Sequence, residues 1–301
     1  MFPEDSFELG GDRRFVRKLN RKQRDAVSLF LTVLILVLCA VIAYQGYQMI
    51  RYYTDLRANQ ALADRAADIF NKAAESKTAA PAATDAAMAT ESPITIVTKP
   101  PAATAAPEAA DRGIQPGILA LRDAFQNDDI IGYVSIEGTN VQYAVAQAKN
   151  NYVYLDEGLD KQPNAAGAIF MDSSNNPEIT DYNTVLYGHN MKNGSMFHNL
   201  RYYSDKRFLE THNTIVFQTL YEETVWEIFS FYPTQTNFDY IQTVFNDQKD
   251  YESFLADIQL KSVVDTGITL TADDAVLTLS TCTNTADNMR YALHARLVEK
   301  R

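Results

Sequence analysis

The sequence predicts a mostly β fold, a closed barrel or sandwich of about eight strands, set behind a single membrane-spanning helix. Three observations carry this expectation. Residues 26–50 contain no charged side chain. After residue 130, short runs rich in Val, Ile, Tyr, Phe and Thr recur between turns built from Gly, Asn and Asp. Only two segments of the last 190 or so residues keep helical spacing.

Taken in chain order, residues 1–25 form a basic tail carrying Arg13, Arg14, Arg17, Lys18, Arg21, Lys22 and Arg24. The uncharged span, residues 26–50, centres on Leu29-Phe30-Leu31-Thr32-Val33-Leu34-Ile35-Leu36-Val37-Leu38, and about 20 such residues cross roughly 30 Å of hydrocarbon. The next basic residues are only Arg51 and Arg57, so the positive-inside rule places the tail in the cytoplasm and residues 51–301 outside. The apolar run is long, starts far from the N-terminus and lacks a clean small-x-small site after it, which favours an uncleaved anchor over a signal peptide. Tyr44 and Tyr47 suit the outer interface.

Residues 51–112 read as a helical stalk followed by a spacer. The stalk, 51–78, is polar and Ala-containing, with Leu56, Ala63, Ala67 and Phe70 on one side. From Thr78 to Ala110 the chain is Ala, Thr and Pro with few large apolar residues, too little surface to offset the entropy of ordering. The head, 113–301, is long enough for one sizeable core. It opens with a helix at Gly117–Phe125. Strands are then predicted at 130–136, 141–145, 168–171, 184–187, 214–218, 224–232, 275–280 and 291–298. A late helix, Asp247–Ser262, places Tyr251, Phe254, Leu255 and Ile258 on one face.

Residues 51–301 hold 20 basic and 33 acidic groups. A net charge of this sign argues against nucleic-acid binding, which requires basic neutralisation of phosphates. Cys39 lies within the anchor, leaving Cys282 as the sole cysteine of the head. It is therefore either an unpaired liability or a nucleophile. Cys282 follows the strand run Ala275–Ser280, His189 follows Thr184–Gly188, and Arg290 opens the last strand. Strand ends at one barrel rim would bring the three together. A thiolate attacks an amide carbonyl, an imidazolium protonates the leaving amine, and a guanidinium fork stabilises an oxyanion. His198, His212 and His294 are the alternative bases. With no His-x3-His or Cys-x2-Cys spacing, neither a metal nor a cofactor is expected.

Leu279-Ser280-Thr281-Cys282, followed by Arg290 in the final strand, resembles the sortase active-site signature. Tyr187-Gly188-His189-Asn190 is similar to the segment bearing the sortase histidine. Gly138–Tyr143, Ala168–Asp172, Met196-Phe197 and the late helix around Asp250–Leu255 resemble class B members in order and spacing over residues 117–300. The resemblance implies a closed sortase-type β-barrel and a membrane-anchored cysteine transpeptidase. By it, Cys282 is the nucleophile, His189 the general acid/base, and Arg290 positions substrate or stabilises the oxyanion. Its partners would be secreted proteins bearing a C-terminal sorting motif, of the Asn-Pro-x-Thr-x type, and an amine of a peptidoglycan precursor or pilin. Peptide-groove positions carry over to Gln142, Ala146, Tyr187, Thr236, Tyr240, Ile241 and Ser280. Gln142 and Ala146 stand where Asn and Leu are usual, Ala144 replaces a frequent Pro, and Thr283 replaces a frequent acidic residue. Arg296 is the poorer alternative to Arg290 because it falls deep in the strand. A thiol endopeptidase using water and a catalytically idle peptide-binding ectodomain are the alternatives on the same scaffold.

Overall fold

The computed structural model describes residues 21–78, 113–282 and 289–301. The tail up to residue 20, the Ala/Thr/Pro spacer from residue 79 to 112 and Thr283 lie outside the described residues. The chain forms two compact units, Met1–Tyr52 and Tyr53–Arg301. Helix α1, Arg21–Thr78, contributes to both. In the first unit its apolar side chains, Leu29, Phe30, Ile35, Leu36 and Ile50 among them, are exposed. By length and composition this segment is a candidate membrane span.

In the second unit, the later part of α1 has a buried face. Leu56, Ala66 and Phe70 are buried, the Phe70 ring stacks on Tyr133 at 4.0 Å, and Arg65 lies over Phe125 at 5.2 Å. Asn164 Nδ2 donates to Asn59 Oδ1 at 2.9 Å. The helical stretch read from the sequence as a stalk thus packs on the barrel. The apolar side read from the sequence, with Leu56 and Phe70, is the face that docks, since a helix needs only a narrow apolar stripe to do so.

Eight strands close a barrel in the order β1-β2-β3-β4-β7-β8-β6-β5. They are β1 Ile130–Ser135, β2 Gln142–Ala146, β3 Ile169–Met171, β4 Asn183–His189, β5 Thr214–Gln218, β6 Glu223–Gln235, β7 Val276–Cys282 and β8 Met289–Lys300. The β2–β3 and β4–β7 pairs are parallel and the remaining pairs antiparallel. Closure removes the exposed edges that an open sheet would present.

The strands alternate. Leu186, Leu279 and Leu293 join Val134, Val145, Ile169, Trp226 and Phe231 in the interior cluster. Tyr187, Phe170 and Ala146 belong to an outer cluster shared with Phe70 and the helix α2, Pro116–Phe125. A second outer cluster holds Tyr232, Tyr240 and Ala292 under the helix α5, Gln248–Leu260. Asp247 caps α5 by accepting the Asp250 N–H at 2.8 Å, and Tyr251, Phe254, Leu255 and Ile258 are its buried face, as the spacing predicts. Three short helical segments were not expected: α3 Val153–Asp156, a 3-10 helix Phe197–Ser204, and α4 Lys206–Thr211. Each is too short for periodicity to register.

Candidate active site

Parallel pairing of β4 with β7 builds the rim. The register runs from Asn183↔Val276 to His189↔Cys282, so the last residues of both strands are backbone neighbours. The sequence places His189 and Cys282 just past their strands. The structure places both at the strand termini, because the parallel ladder continues to its last step. β8 then runs antiparallel to β7, pairing Ser280 with Ala292, and Tyr291 N–H donates to Thr281 Oγ1 at 2.8 Å. Across β8, Arg290 pairs with Thr234 of β6. Topology therefore brings 189, 282 and 290 to one end of three adjacent strands.

His189 is buried, with 4 % of its surface exposed. Its Nε2 lies 2.9 Å from the Leu155 carbonyl oxygen. A carbonyl only accepts, so Nε2 carries the hydrogen in this pairing. The carbonyl belongs to α3, which is held from beneath. Tyr154 is fully buried, its hydroxyl donates to Asp129 Oδ2 at 2.8 Å, and Asn127 Nδ2 donates to that hydroxyl at 3.0 Å. Burial opposes ionisation of Asp129, yet its bonds from Lys161 and Tyr154 prevail and hold its carboxyl below the ordinary range. Gly188 explains why the histidine segment sits so close to the core. A Cβ there would fall 2.3 Å from Ile169 Cδ1 and 2.8 Å from the Phe197 ring, so only glycine lets Phe197 pack under the strand end.

The other histidines are occupied differently. His294 is fully buried, accepts from the Tyr232 hydroxyl at Nε2 and bonds Thr278 Oγ1 through Nδ1, each at 2.8 Å. Burial pushes its pKa down to about 3, so it stays neutral in the core. His198 donates through Nδ1 to Asn190 Oδ1 at 2.9 Å, and burial, then Arg201, lower its pKa. His212 stacks on Phe208 at 4.2 Å. Arg296, the alternative cation, is tied to Glu227 at 2.8 Å.

Four of the predicted groove residues come together. Tyr187 pairs with Ser280 across β4 and β7, and the Tyr240 hydroxyl lies 2.8 Å from Ser280 Oγ. Ile241 packs, half-buried, between the two outer clusters. Ala146 is buried on β2, two strands from Tyr187, level with Phe170 and through it with Tyr187. Gln142 and Thr236 stand outside this group, exposed at the start of β2 and just after β6.

Two supports were missed by sequence reasoning. The Tyr187 hydroxyl donates to Asp172 Oδ2 at 2.8 Å, and Asn151 and Ser174 also donate to that carboxylate. Burial raises the Asp172 pKa, but the bonds from Ser174, Tyr187 and Asn151 outweigh it and hold it below the usual value. Its signal was the Asp-Ser-Ser-Asn-Asn turn, which reads as a plain loop. The second is Asn183. It accepts from Thr278 Oγ1 at 2.7 Å and donates to the carbonyl of Gln242 at 2.9 Å. Thr278 has one hydrogen and spends it on Asn183, so it accepts from His294. A directed chain thus runs from Tyr232 through His294, Thr278 and Asn183 to the segment carrying Tyr240 and Ile241. Among the described residues, no group of three or more His, Cys, Asp and Glu is placed to hold a metal ion.

A family signature described as a sortase domain matches residues 134–298. The chain is 38 % identical over 176 residues to sortase B of Listeria monocytogenes, covering 58 % of this chain and 72 % of that one. A Staphylococcus aureus sortase B–substrate complex superposes with a TM-score of 0.67 at 26 % identity, over 82 % of this chain and 99 % of that chain. The crystal structure of sortase B from B. anthracis in complex with AAEK1 gives 0.64 at 31 % identity, over 82 % and 99 %.

Proposed function

Because this chain belongs to the sortase family of cysteine transpeptidases, we propose that Cys282 is its nucleophile, His189 its general acid/base and Arg290 its oxyanion and substrate clamp. The observation that carries the reading is the backbone pairing of His189 with Cys282, one strand from Arg290. In the first half-reaction the thiolate attacks the carbonyl carbon of a sorting peptide, and the C–N bond breaks as the imidazolium gives its proton to the leaving amine. Since Nε2 is committed to the Leu155 carbonyl, proton exchange is assigned to Nδ1. The guanidinium fork meets the developing oxyanion.

The peptide is proposed to lie along Tyr187, Ser280, Tyr240 and Ile241, with Ala146 in its floor and Gln142 and Thr236 at its margins. That the S. aureus structure is a sortase B–substrate complex supports substrate binding by this fold. An Asn-Pro-x-Thr-x motif cleaved after Thr is the proposed substrate, joined through the thioacyl enzyme to an amine of peptidoglycan precursor or pilin. Residues 26–50 anchor the enzyme with the basic tail inside and the head outside, the orientation that the seven basic residues before the span favour.

The test is a panel of Asn-Pro-x-Thr-x and Leu-Pro-x-Thr-x peptides with and without triglycine, products identified by mass. Cleavage after Thr, with ligation to the amine, is expected and ranks the motifs. Cleavage elsewhere, or none in the entire panel, contradicts the proposal.

A further inference from the structure

Helix α1 carries a buried amide that reaches both segments supporting His189. Asn59 lies on the docked part of α1, 5 % exposed, three residues after the buried Leu56. Its Oδ1 accepts from Asn164 Nδ2 at 2.9 Å, and its Nδ2 donates to Met196 Sδ at 3.5 Å. A cavity of about 20 Å³ is lined by Asn59 together with Tyr143, Gly167 and Met196, so the two contacts converge at one point. We propose that Asn59 is a positioning residue for His189, holding the imidazole in place through two separate arms. The proposal rests on the reading of His189 as the general acid/base and names a residue that acts through it.

The first arm runs to the carbonyl that holds the ring. Asn164 donates its N–H to the Asp156 carbonyl at 2.7 Å, and its own carbonyl accepts the Gly167 N–H at 2.9 Å. Ala168 N–H donates to the Tyr154 carbonyl at 3.0 Å. Residues 164–168 thus grip α3 on both sides of Leu155, whose carbonyl takes the hydrogen of His189 Nε2. The fit is close. Gly167 has φ +57°, and a Cβ on it would overlap the Tyr154 oxygen and fall 2.7 Å from the Leu155 oxygen. Only glycine fits there, so a shift of this segment is a shift of the carbonyl. The second arm runs to the other side of the histidine. Met196 bridges to Asn190, the residue after His189. Its φ of 58° and ψ of −137° form a conformation that a residue with a side chain keeps only where its surroundings over-determine it. The surroundings are the Asn190 bridge, the Tyr143 hydroxyl, which accepts the Met196 N–H at 2.7 Å, and Asn59 on the sulfur.

A hydrogen bond to one ring nitrogen selects the tautomer, but it aims the other nitrogen only if the acceptor is itself fixed. With Nε2–H on the Leu155 carbonyl, proton exchange falls to Nδ1, and a displaced carbonyl turns Nδ1 off its line. Leucine would fill the place of Asn59 with a similar volume and no polar group to desolvate, so packing alone does not call for an amide there. A buried, paired amide instead specifies one arrangement of the elements it joins. The oxygen arm is the stronger of the two, since a thioether is a weak acceptor.

Asn59→Leu, in the full-length protein in detergent micelles, removes both arms and keeps an apolar side chain in the docked face. The rate of thioacyl formation at saturating Asn-Pro-x-Thr-x peptide is expected to fall about tenfold, with peptide KM within about twofold of the parent. Asn164→Ala breaks the oxygen arm alone, and combining it with Asn59→Leu brings no fall beyond the larger single effect, because both act on one carbonyl. The tautomer is read by nitrogen NMR of isotope-labelled histidine at alkaline pH, with His189→Gln identifying the His189 signals. The parent is expected to hold the Nε2–H form and Asn59→Leu to show a mixture of the two. A merely structural role would lower the melting temperature and leave that signal in place. An unchanged tautomer signal in Asn59→Leu overturns the proposal and, with thioacyl still forming, spares the enzyme assignment. If the parent forms no thioacyl, the enzyme reading falls and the tautomer signal alone decides for or against Asn59. Should Asn59→Leu not fold, Asn164→Ala is read by the same two measurements.

Discussion

The two faces of one rim are built on different principles. On the outer face the polar groups beside the strand ends are buried in pairs: Tyr187 on Asp172, Tyr240 on Ser280, and Asn183 on Thr278 and the Gln242 carbonyl. On the inner face, Arg201, Tyr202 and Asp205 stay exposed above a floor of two stacked rings. A surface that must select one peptide sequence benefits from rigid, fully satisfied donors and acceptors. A face that stays hydrated keeps its charges accessible at little desolvation cost. The difference teaches that one rim combines a rigid, hydrogen-bonded outer face with an open inner one.

The largest effect belongs to the thiol at the rim, on which the chemistry proposed for the outer face depends. Cys282→Ala is expected to remove cleavage and ligation together, a loss of at least about 1,000-fold in kcat, read by product mass over time. Arg290→Lys keeps the charge but not the planar fork. A roughly 100-fold fall in kcat/KM is expected, as for loss of an oxyanion donor, and near-normal turnover contradicts the assigned role. Tyr187→Phe sharpens the outer face. It leaves a buried carboxylate one hydrogen bond short, which should lower unfolding free energy by about 2 kcal/mol in urea melts and raise peptide KM without moving amine KM.

Acid provides the smallest and most specific effect. Asp172 has its folded pKa below the unfolded value, so its stabilisation is fully present above the unfolded pKa, about 3.9. It is lost as pH falls through the lower folded value. Melting temperature should therefore hold from neutral pH to about 4 and then fall, and Asp172→Asn should flatten part of that decline. An unchanged profile in the variant contradicts the carboxylate's part in holding Tyr187.

Most strands were legible because a closed barrel imposes period-2 patterning on each of them. β6 is the instructive exception. The sequence ends it at Tyr232, before Pro233, yet the strand runs to Gln235. β5 covers β6 only as far as Glu227, so at Pro233 one side of the strand has no ladder partner and the missing N–H costs nothing. The docked part of α1 showed its apolar side but not what covers it, and the 3-10 helix was hidden by its brevity. At the site, Cys282 and His189 stood out because few residue types perform nucleophilic chemistry. The Leu155 carbonyl was invisible, since any residue supplies a carbonyl and only the fold aims it. His198 and His212 were separated from His189 by register, which no local pattern encodes.

The most direct test of the account is the intact mass of the full-length protein after brief mixing with an Asn-Pro-x-Thr-x peptide, followed by peptide mapping. An acyl adduct ending at Thr, located on Cys282 and discharged by triglycine, is the predicted result. An adduct on another residue, or cleavage that proceeds equally in Cys282→Ala, contradicts it.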